Sequence, residues 1–324
     1  MKKAIVTGGA GFIGSNLVKL LLNKNWCVTV IDDFSVGKRT NLPQKEKKLR
    51  IVNADIRDRA GMKGLIKDAD AVFHLAVQCV RKSINDPWLV HSVNTEGTLS
   101  VLEASLLNKV KKFIYVSSSE VYGSALNVPM SENHPLNPTT IYGASKLAGE
   151  LYTLAYFRTY GLPVLIVRPF NTYGYNEHFE GPYGEVIPRF VLRRLNNLPI
   201  QIFGNGKQTR DFTFVDDTAE GIYLVWKKGE LGEIYNIARG KEISINHLAA
   251  NICKLLNLKF NTENLGVRPG DVKRHFADIS KAKRDLGFRP ANSLNEGLIK
   301  YIGWFRKEFP DSSKLFKYYE EKNW

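Results

Sequence analysis

The stretch Lys3-Ala4-Ile5-Val6-Thr7-Gly8-Gly9-Ala10-Gly11-Phe12-Ile13-Gly14 joins a short apolar strand to the start of a helix through a glycine-rich turn. Such glycines let backbone N–H groups approach a pyrophosphate at the helix N-terminus. A second apolar strand at residues 28–31 ends at Asp32, where an acid can accept hydrogen bonds from an adenosine ribose. The stretch and Asp32 together predict a dinucleotide-binding turn.

Asp32 also predicts which dinucleotide binds. Its carboxylate would repel the 2′-phosphate of NADP, so NAD is favoured as the cofactor. Lys38 and Arg39 follow closely and could offset this preference. The alternative is that these glycines belong to an ordinary loop. The position of the glycines between a strand and a helix argues against this alternative.

Strand and helix patterns continue to alternate after this unit. Alternation with short apolar strands is typical of an α/β protein with a doubly wound parallel sheet, the Rossmann arrangement. Ligands bind such sheets at the carboxyl ends of the strands, where Asp32, Asp55, Ala76 and residues 117–120 fall. The patterns predict further strands at residues 49–52, 71–75, 113–116 and 164–167. They also predict two long helices at residues 87–107 and 142–160.

The regular alternation breaks down after the last of these strands. Gly, Pro, Tyr and Asn dominate residues 171–184, which predicts a long loop able to cover a pocket. We expect an NAD-binding Rossmann domain over residues 1–168 and a smaller mixed α/β substrate-binding lobe over mainly 169–324. Segments within about 207–240 could return to the first domain. The site should lie in the cleft between the two lobes. Further elements are predicted at 186–195, 200–203, 216–227 and 245–256.

A candidate catalytic pair begins the helix predicted at residues 142–160. Tyr142 and Lys146 are four residues apart and therefore share one helix face. A lysine beside a tyrosine favours the phenolate and lowers the pKa of the phenol, so that the tyrosine can act as a base. From the helix alone, an ordinary amphipathic helix with both residues at the edge of its apolar face is equally expected. The dinucleotide-binding motif favours the interpretation as a catalytic pair.

The composition argues against several other classes of protein. The 324 residues are 44% hydrophobic, which is ample for a core. Cys27, Cys79 and Cys253 form no CxxC pair, which argues against a disulfide scaffold and a structural zinc site and suits a reducing cytoplasm. The sequence contains no run of 18 apolar residues, so it predicts no membrane-spanning helix. The net charge of +14 is spread along the chain, so nucleic-acid binding is not expected.

Together these motifs resemble the extended short-chain dehydrogenase/reductase family, specifically its nucleotide-sugar epimerases and dehydratases. The resemblance covers nearly the whole chain. Its markers occur in order as Thr7 to Gly14, Asp32, Asp55-Ile56, His74-Leu75-Ala76, Asn94, Ser117-Ser118, Tyr142 with Lys146, Arg168-Pro169-Phe170-Asn171, Gln208 to Phe212, and Arg268-Pro269-Gly270-Asp271.

The resemblance implies an NAD⁺-dependent reaction on a nucleotide-diphosphate sugar. Tyr142 would take the proton of the sugar 4-hydroxyl while hydride leaves C4, Lys146 would hold the nicotinamide ribose, and Ser118 would bind O4. The NAD contacts it implies are Gly8, Gly11, Phe12, Ile13, Gly14, Asp32, Asp55, Ile56, Leu75, Ala76, Asn94, Ser117, Tyr142, Lys146 and Pro169. The substrate contacts it implies are Ser118, Asn171, Arg210, Arg268 and Asp271. Arginine suits the diphosphate because its planar fork pairs two phosphate oxygens.

Glu120 separates the reactions that this family performs. A 4-epimerase only returns hydride to the other face of the 4-keto sugar, whereas a 4,6-dehydratase also needs a general base near C5. Because Glu120 stands where the dehydratases carry a catalytic glutamate, we expect a 4,6-dehydratase with Ser118, Glu120, Tyr142 and Lys146 as catalytic residues. A 4-epimerase of the UDP-glucose/UDP-galactose type is the alternative. A UDP-glucuronate decarboxylase and a noncatalytic NAD-binding module rank below it.

Three departures from the family pattern leave the sugar open. Ser119 replaces the aspartic acid of the dTDP-glucose dehydratases, the segment 74–81 is one residue shorter than usual, and Tyr175 replaces a proline. The helices at 87–107 and 142–160 resemble the pair that forms a four-helix interface in this family, so a homodimer is expected.

Overall fold

The computed structural model describes residues 1–322, and its central element is a parallel sheet of seven strands. The strands of the chain are β1 (Lys3–Thr7), β2 (Cys27–Asp32), β3 (Leu49–Asn53), β4 (Ala71–His74), β5 (Lys112–Val116), β6 (Val164–Pro169), β7 (Thr172–Tyr173), β8 (Ile200–Phe203), β9 (Thr209–Arg210), β10 (Thr213–Phe214), β11 (Ile234–Ile237), β12 (Ile243–Ser244) and β13 (Thr262–Leu265). The central sheet has the order β11-β6-β5-β4-β1-β2-β3. This order reverses at β1, which is the doubly wound topology.

The α-helices either cover the two faces of this sheet or pack in a second core formed by the later part of the chain. They are α1 (Phe12–Asn23), α2 (Arg59–Leu65), α3 (Lys82–Asn85), α4 (Pro87–His91), α5 (Gly97–Leu107), α6 (Ile141–Tyr160), α7 (Val186–Leu195), α8 (Val215–Lys228), α9 (Ile245–Leu255) and α10 (Leu294–Glu308). Alternate strand residues face opposite sides, so Val6 packs with α1 and α8 whereas Ile5 packs with α2 and α5. The predicted α/β doubly wound fold is confirmed.

The helix predicted at residues 87–107 is divided by a change of winding. Ser92–Glu96 forms a π-helical segment between α4 and α5. The Thr98 hydroxyl donates to the carbonyl of Asn94 at 2.6 Å, and the Asn94 side chain points inward to the backbone of Gln78. Periodicity cannot show such a segment, because the wider turn depends on these distant partners.

Much of the chain after β6 forms a second hydrophobic core. Helices α7, α9 and α10 pack there around aromatic side chains such as Phe305, with the two-stranded pairs β7–β10, β9–β12 and β8–β13. Helix α8 and strand β11 instead complete the central sheet and its cover. The long loop after β7 contains one 3₁₀ turn, Gly181–Tyr183. The division into two domains and the homodimer stay predictions.

A buried ion pair supports the sheet behind the site. Arg168 at the end of β6 donates through Nε and Nη2 to the two carboxylate oxygens of Glu150 on α6, at 2.9 and 2.6 Å. Both side chains are at most 2% exposed. Arg168 also donates to the hydroxyl of Tyr122 at 2.8 Å. The pair therefore joins α6, β6 and the turn Ser119–Tyr122 that carries Glu120.

Glu150→Gln should strongly destabilise the protein. The substitution leaves the Arg168 guanidinium buried without its counter-charge, which costs about 3–5 kcal/mol. The matched control Glu220→Gln removes a carboxylate that pairs with Lys24 at the surface, and it should cost about 0–1 kcal/mol. Denaturant unfolding measures both free energies. Equal losses in the two variants would contradict the proposed importance of the buried pair.

Candidate functional site

A cleft of about 400 Å³ opens at the carboxyl ends of the central strands. The elements around it come from the sheet, from the loop after β7 and from the second core. All of the sequence-predicted site residues except Asn94 line this cleft, from the glycine turn at one end to Arg268 and Asp271 at the other. The fold therefore brings together residues that are up to 263 positions apart in the chain, from Gly8 to Asp271.

The glycine turn brings the start of α1 very close to the end of β1. Gly8 has a positive φ of 66°, and a Cβ on Gly14 would lie only 2.1 Å from the carbonyl oxygen of Gly8. Helix α1 begins after Gly11 with no side-chain cap and no acidic residue in its first turn. Its N-terminal N–H groups therefore face the cleft with the positive end of the helix dipole, which suits a pyrophosphate.

Asp32 lies where the ribose contact was predicted. Its carboxylate accepts the N–H groups of Ala10 at 2.8 Å and Phe34 at 2.9 Å. Burial raises the pKa of Asp32, and these two hydrogen bonds oppose the increase. Lys38, which could have favoured a 2′-phosphate, forms an ion pair with Glu180 in the covering loop. The charge around Asp32 therefore fits NAD.

Two buried polar atoms in the cleft have no partner among residues 1–322. They are the hydroxyl of Ser117 and the side-chain carbonyl of Asn171, which follow β5 and β6. Unsatisfied buried groups are costly and call for an explanation such as a bound ligand. Both belong to the predicted contact set, and together with the close-packed glycine turn they fit a bound dinucleotide.

Asn94 was predicted to contact NAD, and the structure places it elsewhere. Its side chain is buried behind the cleft, where it pairs with both backbone groups of Gln78 and donates to the hydroxyl of Ser145 at 2.9 Å. Asn94 therefore fixes the loop after β4 and the start of α6. The inward turn of the π-helical segment gives Asn94 a supporting position behind the cleft.

Lys146 is held directly beneath the cleft. Its ammonium group donates to the carbonyl of Val116 at 2.7 Å and lies 4.3 Å from the ring centre of Tyr115. Burial lowers the pKa of Lys146 to about 7, and the Glu150 carboxylate partly opposes this decrease. The lysine thus ties α6 to the end of β5 and titrates near neutral pH.

Tyr142 has a raised pKa, contrary to the expectation that Lys146 would lower it. Burial is the largest cause, the hydrogen bond with Ser118 lowers the pKa, and the negative charge of Glu120 raises it further. The spacing of four residues identified the pair, but it could not reveal how strongly the fold desolvates the phenol. A further positive charge in the cleft is needed to favour the phenolate.

Glu120 presents a carboxylate to the same part of the cleft. Burial raises its pKa, and the positive charges of Arg210, Arg268 and Arg81 oppose this increase. No hydrogen bond or ion pair engages the carboxylate within the described part of the chain. Its neighbour Ser119 is buried in the turn. The carboxylate is therefore available to take up a proton.

The two predicted substrate arginines converge on one acid. Arg210 Nη2 and Arg268 Nη2 donate to the same oxygen of Asp271, at 2.6 and 2.9 Å. Asp271 is the only carboxylate among the described residues that pairs directly with these two guanidinium groups, so one positive charge is left without a paired acid and would attract an anionic group.

The sequence analysis did not identify Arg81, which holds the loop after β7 over the cleft. Arg81 is buried and donates to the carbonyls of Pro182 and Tyr183 at 2.8 and 2.9 Å, and to Glu185 at 2.6 Å. These contacts tie the loop after β4 to the loop that covers the site. The unusual length of segment 74–81 was the only signal, because the partners lie about a hundred residues away in the sequence.

His74 lies beneath the site rather than in it. Its ring nitrogens contact the hydroxyls of Thr7 and Thr98 at 2.7 and 2.9 Å. Burial lowers its pKa to about 3, so the ring is neutral. In the part of the chain that the structure describes, no group of three or more His, Cys, Asp or Glu side chains could hold a metal ion, and no helix is long and apolar enough to span a membrane.

Comparison with known proteins places this cleft among NAD-dependent enzymes. Residues 4–238 match the model of the NAD dependent epimerase/dehydratase family. The UDP-glucose 4-epimerase of Mycolicibacterium smegmatis is 36% identical over 94% of this chain and 99% of its own length.

Two solved structures extend this similarity to both reaction types. The dTDP-glucose 4,6-dehydratase of Streptomyces venezuelae, solved with NAD, has a TM-score of 0.91 and 34% identity over 95% of this chain and 98% of its own. The UDP-N-acetylglucosamine 4-epimerase of Methanobrevibacter ruminantium M1 has a TM-score of 0.90 and 35% identity, over 95% and 99%. The similarity therefore does not separate dehydratase from epimerase.

Gly14→Ala should weaken NAD binding. The new methyl group would overlap the carbonyl of Gly8, and strain of about 1–3 kcal/mol would open the turn. We expect NADH affinity to fall about tenfold or more in a fluorescence titration. The matched control Gly303→Ala adds a methyl group that meets nothing within 4 Å, and it should bind normally. Unchanged affinity in a folded Gly14→Ala variant would rule out this geometry.

Lys146→Met should gain stability relative to the wild type as the pH falls. A lysine in the unfolded chain titrates near pH ~10.4, whereas burial lowers the pKa of Lys146 to about 7. Between these values the unfolded state binds more protons, so the wild type loses stability towards pH 7. Denaturant unfolding of nucleotide-free protein at about pH 7 and about pH 10 measures the difference. In the control Lys254→Met, at an exposed site, the difference should not change with pH, and a constant difference for Lys146→Met would contradict the account.

Proposed function

The chain belongs to the NAD-dependent epimerase/dehydratase family, and on that premise we propose that it is a nucleotide-sugar 4,6-dehydratase. The resemblance inferred from its motifs is thereby confirmed, and its cofactor is NAD. The observation that carries the finer assignment is the unpaired carboxylate of Glu120, which shares the cleft with Tyr142, Ser118 and Lys146.

Tyr142 and its neighbours perform the first step, oxidation at C4 of the sugar. Bound NAD⁺ supplies a hydride acceptor and a positive charge that favours the Tyr142 phenolate. Tyr142 takes the proton from the 4-hydroxyl, and Ser118 donates a hydrogen bond to O4. Lys146, anchored on Val116, lies beside the reacting groups and would hold the nicotinamide ribose. The sugar leaves this step as a 4-ketone.

Glu120 performs the second step, elimination across C5 and C6. The 4-ketone acidifies the C5 proton, and the Glu120 carboxylate removes it. The C6 hydroxyl must then leave as water, and Ser119 is too weak an acid to protonate it. Glu120 can deliver the proton that it has just taken, because burial raises its pKa. Hydride return to C6, together with delivery to C5 of the proton that Tyr142 took in the first step, completes a 4-keto-6-deoxy sugar and one water and restores both side chains.

The net positive charge of Arg210 and Arg268 supports a diphosphate-bearing substrate. Both guanidinium groups share Asp271 and so keep one positive charge in excess. Asn171 adds an unsatisfied carbonyl, which can accept a hydrogen bond from the substrate. The nucleobase and the hexose of the substrate are not assigned.

A nucleotide-sugar 4-epimerase is the second candidate. Ser119 favours it, because it cannot protonate a leaving hydroxyl as an aspartic acid would. The epimerase needs only the first step and hydride return to the opposite face of the sugar. Glu120 would then have no chemical role.

Product analysis separates the two reactions. Purified protein with NAD is incubated with UDP-, dTDP- and GDP-hexoses, and the sugars are examined by NMR. The proposal predicts a 4-keto-6-deoxy sugar. Inversion at C4 with the C6 hydroxyl retained would establish the epimerase and reject the dehydratase.

Glu120→Gln tests the base directly. The amide cannot accept the C5 proton, so turnover should fall about 10²–10⁴-fold. C4 oxidation should persist, and bound NADH should appear on mixing with substrate. Tyr142→Phe provides the contrast, since it should form no NADH. Near-normal turnover of Glu120→Gln would remove this residue from the mechanism.

A further inference from the structure

The C-terminal segment packs against the far end of the cleft. After α10, the chain forms the 3₁₀ turn Ser312–Tyr318, anchored by the buried side chain of Leu315. The residues that follow contact two cleft-lining side chains, Arg189 on α7 and Gln201 on β8. These residues, 319–321, are called the tail, and they form part of the wall behind the site.

Arg189 is held almost entirely by this tail. Its Nη1 donates to the carbonyl of Glu320 at 2.7 Å, and its Nη2 donates to the carbonyl of Glu321 and the hydroxyl of Tyr319, both at 2.9 Å. The guanidinium also stacks on the Tyr319 ring, 4.4 Å from its centre. Only 5% of Arg189 is exposed. Its orientation is thus set by residues about 130 positions later in the chain.

The Tyr319 hydroxyl connects the two cleft residues. It accepts from Arg189 and donates to the side-chain carbonyl of Gln201 at 2.6 Å. The Gln201 amide in turn donates to the carboxylate of Glu321 at 2.7 Å. These hydrogen bonds join the tail, α7 and β8 into one unit.

The partners of Arg189 hold it without neutralising its charge. Its contacts are two carbonyls and a phenol, and no carboxylate pairs with it within residues 1–322. Arg193, one turn later on α7, instead pairs with Glu263, and Arg210 pairs with Asp271. Burial lowers the pKa of Arg189, and the nearby positive charges of Arg81, Arg193 and Arg268 lower it further. A buried charge of this kind is costly unless an anion is at hand.

We propose that Tyr319, with the backbone of Glu320 and Glu321, positions Arg189 as an additional positive charge for the diphosphate of the substrate. Arg189 then strengthens the attraction that Arg210 and Arg268 exert, and Tyr319 is a positioning residue for nucleotide affinity. The inference rests on the proposed nucleotide-sugar substrate and holds for either reaction at C4.

Calorimetry with simple nucleotides tests this role. UDP, dTDP and GDP are titrated into the NAD-loaded protein, and the nucleotide that the wild type binds best is used for all variants. Arg189→Gln should weaken binding about tenfold or more, and Tyr319→Phe, which keeps the ring, about three- to tenfold. The matched controls are Arg306→Gln, at an exposed position outside the cleft, and Tyr318→Phe, which is half exposed; both should bind as the wild type does.

The salt dependence distinguishes a charge role from a structural one. Loss of one positive charge should make nucleotide binding by Arg189→Gln less sensitive to ionic strength, whereas Tyr319→Phe keeps the charge and the wild-type sensitivity. NADH affinity should stay unchanged in both variants.

Several outcomes would overturn the proposal. They are unchanged nucleotide affinity in both variants, an equal loss of NADH affinity, and a wild type that binds none of the three nucleotides. Failure to dehydrate any sugar, with nucleotide binding weakened as described, would reject the dehydratase and leave this inference standing.

Discussion

The close approach of α1 to the end of β1 is the constraint from which the rest of the site follows. Gly14 lies so near the carbonyl of Gly8 that no side chain fits, and this contact aims the helix N-terminus at the cleft. Because every neighbouring strand is parallel to β1, the segments after β2, β4, β5 and β6 open at the same edge. The predicted cofactor and catalytic residues and the covering loop therefore lie together, although no local pattern in the sequence shows that they are neighbours.

Electrostatics at this edge depends on burial as much as on pairing. Lys146 and Tyr142 are both desolvated, so each is shifted towards its neutral form in the protein alone. When bound, the oxidised cofactor would supply the positive charge that the phenolate needs, so the proposed proton transfer from the substrate would depend on NAD⁺. Glu120 follows the same physical rule, since burial favours its protonated state, and this would suit it to return a proton in the proposed elimination.

Local spacing predicted the parts of the site that local geometry determines. The glycine turn and the Tyr142–Lys146 pair each lie within one turn or one helix, and Asp32 ends the next strand, so short stretches of sequence specify them. The raised pKa of Tyr142 was not predictable, because desolvation is a property of the whole fold. The contact of Arg189 with Tyr319 was also not predictable, since sequence alone does not show which distant segments pack together.

Following the hydrogen that leaves C4 tests the central claim most directly. A nucleotide hexose that the protein converts is prepared with deuterium at C4, and the product is examined by NMR and mass spectrometry. A 4,6-dehydratase that moves hydride through its own cofactor should carry the deuterium to C6 of the same sugar. Retention of deuterium at C4, with the configuration there inverted and the C6 hydroxyl intact, would contradict the account.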